Sequence, residues 1–215
     1  MILAGITAVL FDNDGVLVDS KQSVIEAWSE WGRRLFGEFT YPKNFHGRRA
    51  EEIVRDLVDE KGFESANQLI NTLELELANQ TKPLAGAVEL TQSIPDGLWN
   101  VCTSANAELG RARLTAAGID FPEQIVTADD VTNGKPNPEP YALGARRLGI
   151  DSANCLVLED AVAGIESGRA SGAGLVIGVG EEILELTEKE MVITDLRGIS
   201  YIDGEFHLNE DYRLR

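Results

Sequence analysis

Asp12 and Asp14 stand two residues apart where an apolar run ends, inside the string FDNDGVLVDS of residues 11–20. A carboxylate held rigidly at the end of a strand can attack phosphorus as a covalent nucleophile if nearby cations screen the repulsion. A second carboxyl on the same side, as at Asp14, is placed to act as general acid to a leaving alcohol and then as base to water. Asp and Gly also crowd ordinary turns, so this pair alone does not decide between the two uses.

Three further strings supply the rest of such a site. Thr103 and Ser104 close a second apolar run, and Thr103 together with backbone N–H groups can donate hydrogen bonds to phosphoryl oxygens. Lys135 lies in GKPNPEPY, residues 134–141, ahead of a helix that Pro138 and Pro140 open. Glu159 and Asp160 close a third run, where they serve either a helix start or a metal. Asp12, Asp14, Glu159 and Asp160 are then expected to converge as four carboxylates. Such a cluster needs a cation or bound protons, and oxygen ligands at this density suit a hard divalent ion such as Mg2+, which would in turn attract an anion.

These residues need strands whose carboxyl ends lie side by side, because ligands of open α/β sheets bind beyond those ends. Six short runs rich in β-branched residues fit, at residues 7–11, 98–103, 124–127, 155–158, 174–179 and 192–194. Helix-like stretches at 108–117, 139–148 and 162–171 alternate with them, which predicts βαβ units and a mostly parallel sheet covered on both faces. The interval between the first two runs holds helical periodicity instead: Val24, Ile25, Trp28, Trp31 and Leu35, then Ile53, Val54, Leu57 and Val58, then Leu69, Leu73 and Leu77. This predicts a small helical insert at residues 18–81, with the sheet domain formed by 1–17 and 82–215. Trp28 and Trp31 could stack on a ligand, but aromatics at helical spacing read as core.

The chain has 215 residues and 36 Asp and Glu against 19 Lys and Arg, a formal charge of −17. That balance argues against nucleic acid and against an anionic membrane surface, since both require clustered bases. Ten acids and four bases fall in residues 181–215, read as a solvated surface and tail. Two cysteines, Cys102 and Cys155, each within an apolar run, predict buried reduced thiols and a cytoplasmic setting. The apolar start lacks a basic leading segment, and Asp12 and Asp14 interrupt it short of the ~20 residues that span a bilayer. His207 has no reading.

Taken in order, FDNDGVLVDS, VCTS (101–104), GKPNPEPY and LVLEDAVAGI (156–165) resemble the four motifs of the haloacid dehalogenase-like hydrolase superfamily. The resemblance covers roughly residues 6–180 and implies a Rossmann-like sheet with a helical cap inserted after the first strand. It implies Asp12 as nucleophile, Asp14 as acid/base, and Thr103, Ser104 and Lys135 as phosphate-binding groups. Mg2+ would be held by Asp12, the backbone carbonyl of Asp14 and Asp160, with Glu159 acting directly or through water. Asn13, where members often carry an apolar residue, is expected to point away. Within the superfamily the chain is similar to the sugar- and polyol-phosphate phosphatases; FHGRR (45–49) resembles a cap loop of that group, making His46, Arg48 and Arg49 candidates for substrate contact, and Thr103-Ser104 followed by Ala105-Asn106 resembles the group too, which adds Asn106. A Mg2+-dependent phosphatase acting on a small phosphorylated metabolite, as a monomer or an oligomer, is the leading expectation. A β-phosphoglucomutase-like transferase is the alternative, set back by Val24 standing where mutases carry a His. Dehalogenases generally lack an acid at the position of Asp14, and a non-catalytic binding protein would be favoured by loss of residues that are all present.

Overall fold

A computed structural model of the chain describes residues 1–42, 45, 47–187 and 190–215. The central strands are β1 (Ala8–Phe11), whose four residues are all buried, and, further along, Cys155–Glu159, whose five residues are buried as well. Continuous apolar runs of this kind form strands only where both sheet faces are covered. The remaining strands in chain order are β2 (Val18–Asp19), β3 (Lys82–Pro83), β4 (Trp99–Val101), β5 (the Cys155–Glu159 strand), β6 (Leu175–Val179), β7 (Met191–Ile193), β8 (Ile199–Ile202) and β9 (Glu205–Leu208). Five of them make one parallel sheet in the order β4-β1-β5-β6-β7. The first strand therefore sits between β4 and β5, and Phe11 faces Val101 on one side and Leu158 on the other. The three carboxyl ends that carry the candidate residues are thus neighbours at one level.

The helices are α1 (Lys21–Phe36), α2 (Ala50–Leu57), α3 (Glu60–Leu77), α4 (Ala87–Ser93), α5 (Ala107–Ala116), α6 (Glu139–Leu148), α7 (Val162–Ala170) and α8 (Glu181–Leu186). The first three pack on each other around Trp28, Trp31, Ile53, Val54, Ile70 and Leu73, a cluster separate from the one around the sheet. Trp28 and Trp31 meet edge to face at 5.2 Å, and the Trp31 indole donates to the Ala66 carbonyl at 2.8 Å, so both are core. Ile25 and Leu35 lie exposed: Ile25 is one position off the stripe set by Val24, Trp28 and Trp31. The chain enters and leaves this segment side by side, with Val18 paired to Pro83 and Asp19 to Lys82 in a short antiparallel ribbon.

Two expectations need correction. The strand expected at 124–127 shrinks to one parallel bridge, Val126 to Cys102. The Thr127 side chain turns to cap a following 3-10 turn with Asp130, which takes the chain off the ladder after one residue. The acidic stretch 181–215 is a solvated surface, with Glu181, Glu182, Glu185, Asp203, Glu205, Glu210 and Asp211 exposed, but it is folded and not a tail. β8 and β9 form a hairpin through the dipeptide Asp203-Gly204, both with positive φ (51° and 87°), as a two-residue turn between twisted strands requires. Alternation leaves Glu205 exposed while Phe206 and Leu208 are buried, and Ile2 pairs with His207. Among the described residues no helix is long and apolar enough to cross a membrane.

Candidate active site

Asp12 follows β1 directly and its N–H donates to the Leu158 carbonyl at 3.0 Å, so the backbone there is still tied to β5. Its carboxylate, that of Glu159 at the end of β5, and that of Asp160 each offer an oxygen within 4.8 Å of the others. Lys135, which the 134–141 loop carries in from beyond β4, donates to Asp12 Oδ1 at 2.5 Å and to Glu159 Oε1 at 2.6 Å. The Tyr141 hydroxyl donates to the same Glu159 oxygen at 2.8 Å. Lys135 is 2 % exposed and Glu159 1 %. Three carboxylates against one ammonium leave a formal −2 at this centre, which a divalent cation would cancel.

Burial raises the Asp12 pKa well above the ordinary carboxylate value, and Glu159, Asp160 and Asp14 push the same way against the pull of Lys135. For Lys135 burial works downward, yet the carboxylates of Asp12 and Glu159 outweigh it and keep the ammonium charged. Burial, with Glu159 alongside, likewise raises Tyr141, so it stays a neutral donor. Two glycines make the cluster possible. A Cβ on Gly15, whose φ is +86°, would overlap the Asp160 carboxylate, and one on Gly164 in α7 would overlap that of Glu159. Hard oxygen donors, a residual double negative charge and two glycines that leave space for the acids together fit a divalent ion of the Mg2+ type.

The other expected residues divide. Thr103 is buried beside the end of β4, with its hydroxyl oxygen accepting from the Ala105 N–H at 3.1 Å. The Ser104 hydroxyl donates instead to the Gly47 carbonyl at 2.8 Å, a bond from the sheet domain to the helical segment. Asn106 caps α5 by accepting from the Leu109 N–H at 2.9 Å, and its amide lies 3.4 Å from the Asn71 side chain of α3. Arg48 pairs with Asp56 at 2.8 Å. Arg49 pairs with Glu52 and donates to the carbonyls of Val131 and Thr132 at 3.2 and 3.1 Å, clasping α2 to the loop before Lys135. His46 lies outside the described residues.

The Asp14 side chain departs from expectation. It stands outside the three-carboxylate group, because the strand ends at Phe11 and alternation no longer sets its direction. Its Oδ1 accepts from Ser20 at 2.5 Å and pairs with Arg113 at 3.0 Å, while the Asn13 amide donates to Oδ2 at 3.3 Å. The Asn13 side chain thus meets the Asp14 carboxylate and not the three-carboxylate group. Sequence reasoning also missed Ser20, Tyr141, Arg113 and Glu74. Ser20 and Tyr141 close the FDNDGVLVDS and GKPNPEPY strings, whereas Arg113 and Glu74 sit in unremarkable helical stretches. Both cysteines are buried free thiols, as expected, and burial raises both, Cys155 to about 11, which disfavours the thiolate form.

This arrangement holds a carboxylate, a cation and hydrogen-bond donors around one point, which is what transfer of a phosphoryl group to a carboxylate requires. A profile of the haloacid dehalogenase-like hydrolase family matches residues 6–172. Hexitol phosphatase A of Escherichia coli is 36% identical over 199 residues, covering 89% of this chain and 92% of that protein. Glycerol-1-phosphate phosphohydrolase 2 of Saccharomyces cerevisiae is 29% identical, over 80% of this chain and 74% of its own. A solved structure of β-phosphoglucomutase from Clostridium difficile superposes with a TM-score of 0.77 at 20% identity, covering 89% of this chain and 92% of that one.

Proposed function

This chain belongs to the haloacid dehalogenase-like hydrolases, and we propose that within that family it is a Mg2+-dependent phosphatase that hydrolyses a small sugar or polyol phosphate through an aspartyl-phosphate. The observation that carries this reading is the buried centre in which Lys135 bridges Asp12 and Glu159 beside Asp160. The substrate class is supported by similarity to a hexitol phosphatase and a glycerol-1-phosphate phosphohydrolase.

Asp12, Asp160 and the backbone carbonyl of Asp14 would hold Mg2+, with Glu159 directly or through water. When bound, the ion supplies positive charge that draws in the phosphate and offsets the carboxylates. Lys135 and the Thr103 hydroxyl bind phosphoryl oxygens, and Lys135 also fixes the plane of the Asp12 carboxylate through Oδ1. An Asp12 oxygen attacks phosphorus; the bond from phosphorus to the alcohol oxygen breaks, and that oxygen keeps the electron pair and takes a proton from Asp14. Water then attacks the phosphorus of the acyl phosphate and gives its proton back to Asp14, which releases inorganic phosphate and restores Asp12. We read residues 18–81 as a cap that excludes bulk water from this exchange. A monomer suffices, since every group named comes from one chain, and buried free thiols suit a cytoplasmic setting.

The test is a comparison of kcat/KM across hexose, hexitol, pentose and glycerol phosphates and nucleotides, with and without a chelator. The highest values are expected for a sugar or polyol phosphate, with activity abolished by chelation and by Asp12→Asn. An Asp12→Asn enzyme that turns over p-nitrophenyl phosphate at the parent rate would falsify the reading. Mutase chemistry has less support, because Val24 packs into the α1–α3 core; phosphate from a labelled sugar bisphosphate is expected in water and not on another sugar hydroxyl.

A further inference from the structure

A second buried ion cluster joins the helical segment to the sheet domain. Arg113 of α5, 3 % exposed, sends one guanidinium nitrogen to Asp14 Oδ1 at 3.0 Å and the other to Glu74 Oε1 of α3 at 3.1 Å. Glu74 is itself buried, and burial pushes its carboxyl up against the pull of Arg113. Asn71, one turn before Glu74 on the same face of α3, meets the α5 cap residue Asn106, so the two helices are aligned over this contact.

Stability alone does not account for the cluster. Well-packed hydrophobic residues replace a buried ion pair at little or no cost, and sometimes at a gain. The Arg113 Nε is buried and meets no acceptor, which costs further free energy. What the guanidinium offers and a hydrophobe cannot is a rigid fork whose two terminal nitrogens fix two carboxylates relative to each other. One of those carboxylates belongs to the residue that, in the function proposed above, protonates the leaving alcohol; the other belongs to the segment that closes over it.

We propose that Arg113 is a positioning residue that sets the orientation of the Asp14 carboxyl and, through Glu74, makes that orientation depend on α3 being seated against α5. This inference rests on the phosphatase reading. Its signature is a dependence on the leaving group. An alkyl phosphate expels a strongly basic alkoxide and needs a well-aimed acid, whereas p-nitrophenyl phosphate expels a stabilised phenolate and hardly needs one. Because kcat/KM reports only steps up to the first irreversible one, it isolates the cleavage that uses this acid.

The experiment measures kcat/KM on the best alkyl phosphate and on p-nitrophenyl phosphate for the parent, Arg113→Met, Glu74→Ala and the double variant Arg113→Met/Glu74→Met. General acid catalysis is worth about 100- to 10,000-fold, so a misaimed acid is expected to cost Arg113→Met about 30-fold on the alkyl phosphate and under about 3-fold on the aryl one. Glu74→Ala shifts the ratio in the same direction by less, since Arg113 keeps its hold on Asp14. The double variant removes the fully buried pair and leaves of the cluster only the Asp14 carboxylate, which is partly exposed and still accepts from Ser20, and this protects its folding. Its selective deficit is expected to match that of Arg113→Met alone, because both act through one group. Equal losses on both substrates, or recovery of alkyl activity in the double variant, overturn the proposal and leave the phosphatase reading intact. A parent enzyme without alkyl phosphatase activity overturns both.

Discussion

Two buried clusters in this molecule share one formula, a cation between two carboxylates, and differ in what they connect. In the first, Lys135 bridges Asp12 and Glu159, both at the carboxyl ends of adjacent parallel strands. In the second, Arg113 bridges Asp14 and Glu74, one on a turn after the sheet and the other on a helix of the inserted segment. The first is built on elements that cannot move apart without breaking the sheet ladder, so a compact ammonium suffices to neutralise it. The second spans two packing units, and there a planar fork with two separate arms specifies distance and angle. The contrast teaches that a cluster on one rigid sheet needs only its charge balanced, while a cluster across two packing units also needs its geometry set.

The largest effect is expected from Lys135→Met. Removing the cation leaves two buried carboxylates unopposed, which costs about 3–5 kcal/mol of folding free energy, read by denaturant unfolding in the absence of divalent ions. An unchanged unfolding midpoint would make the first cluster no different from an exposed pair and dissolve the comparison. Next in size is Gly15→Ala, which introduces a Cβ at positive φ against the Asp160 carboxylate. The Mg2+ concentration for half-maximal activity is expected to rise about 10- to 100-fold, and an unshifted requirement would take Asp160 out of the metal site.

Mg2+ itself is the third probe. At a hundredfold excess over its dissociation constant it should add about 2.7 kcal/mol of stability, by the same increment in the parent and in Arg113→Met/Glu74→Met, because in the proposed site neither the Arg113 nor the Glu74 side chain is a ligand. Different increments would show the two clusters to be one coupled unit. The smallest effect belongs to Tyr141→Phe, which deletes the hydroxyl donor to Glu159 and leaves the ring in place. A loss of about 1–2 kcal/mol in stability is expected. A loss comparable to that of Lys135→Met would mean that the hydroxyl, and not the ammonium, keeps Glu159 in place.

The first cluster was legible in the sequence and the second was not, for a physical reason. Asp12, Thr103, Lys135 and Glu159 are punctuation: each interrupts an apolar run or sits in a loop of prolines, where a polar side chain stands out against its neighbours. Arg113 and Glu74 lie within helices, in the strings GRARL and ELEL, where charged residues ordinarily face water. Only the packing of α3 on α5 buries them. Ser104, Arg48 and Asn106 have chemistry that suits a ligand, and which protein groups they also hold, namely Gly47, Asp56 and the α5 backbone, depends on packing that the sequence does not display. The hairpin of β8 and β9 was hidden for another reason, since its strands are only four residues each and lie in a stretch whose acidic excess drew the reading.

The ribbon of β2 and β3 bears on how the chain is made as well as on how it works. Because Val18 lies against Pro83, the two ends of the intervening segment are already closed, and the sheet domain experiences it as a loop of fixed mouth. The entropy of closing a loop grows only with the logarithm of its length, by about 0.6 kcal/mol per doubling. Residues between the two ribbon strands can therefore be lengthened, shortened or exchanged over evolutionary time at small thermodynamic cost to β1, β4 and β5. The helical segment is free to change, while the strand ends that carry Asp12 and Glu159 need not.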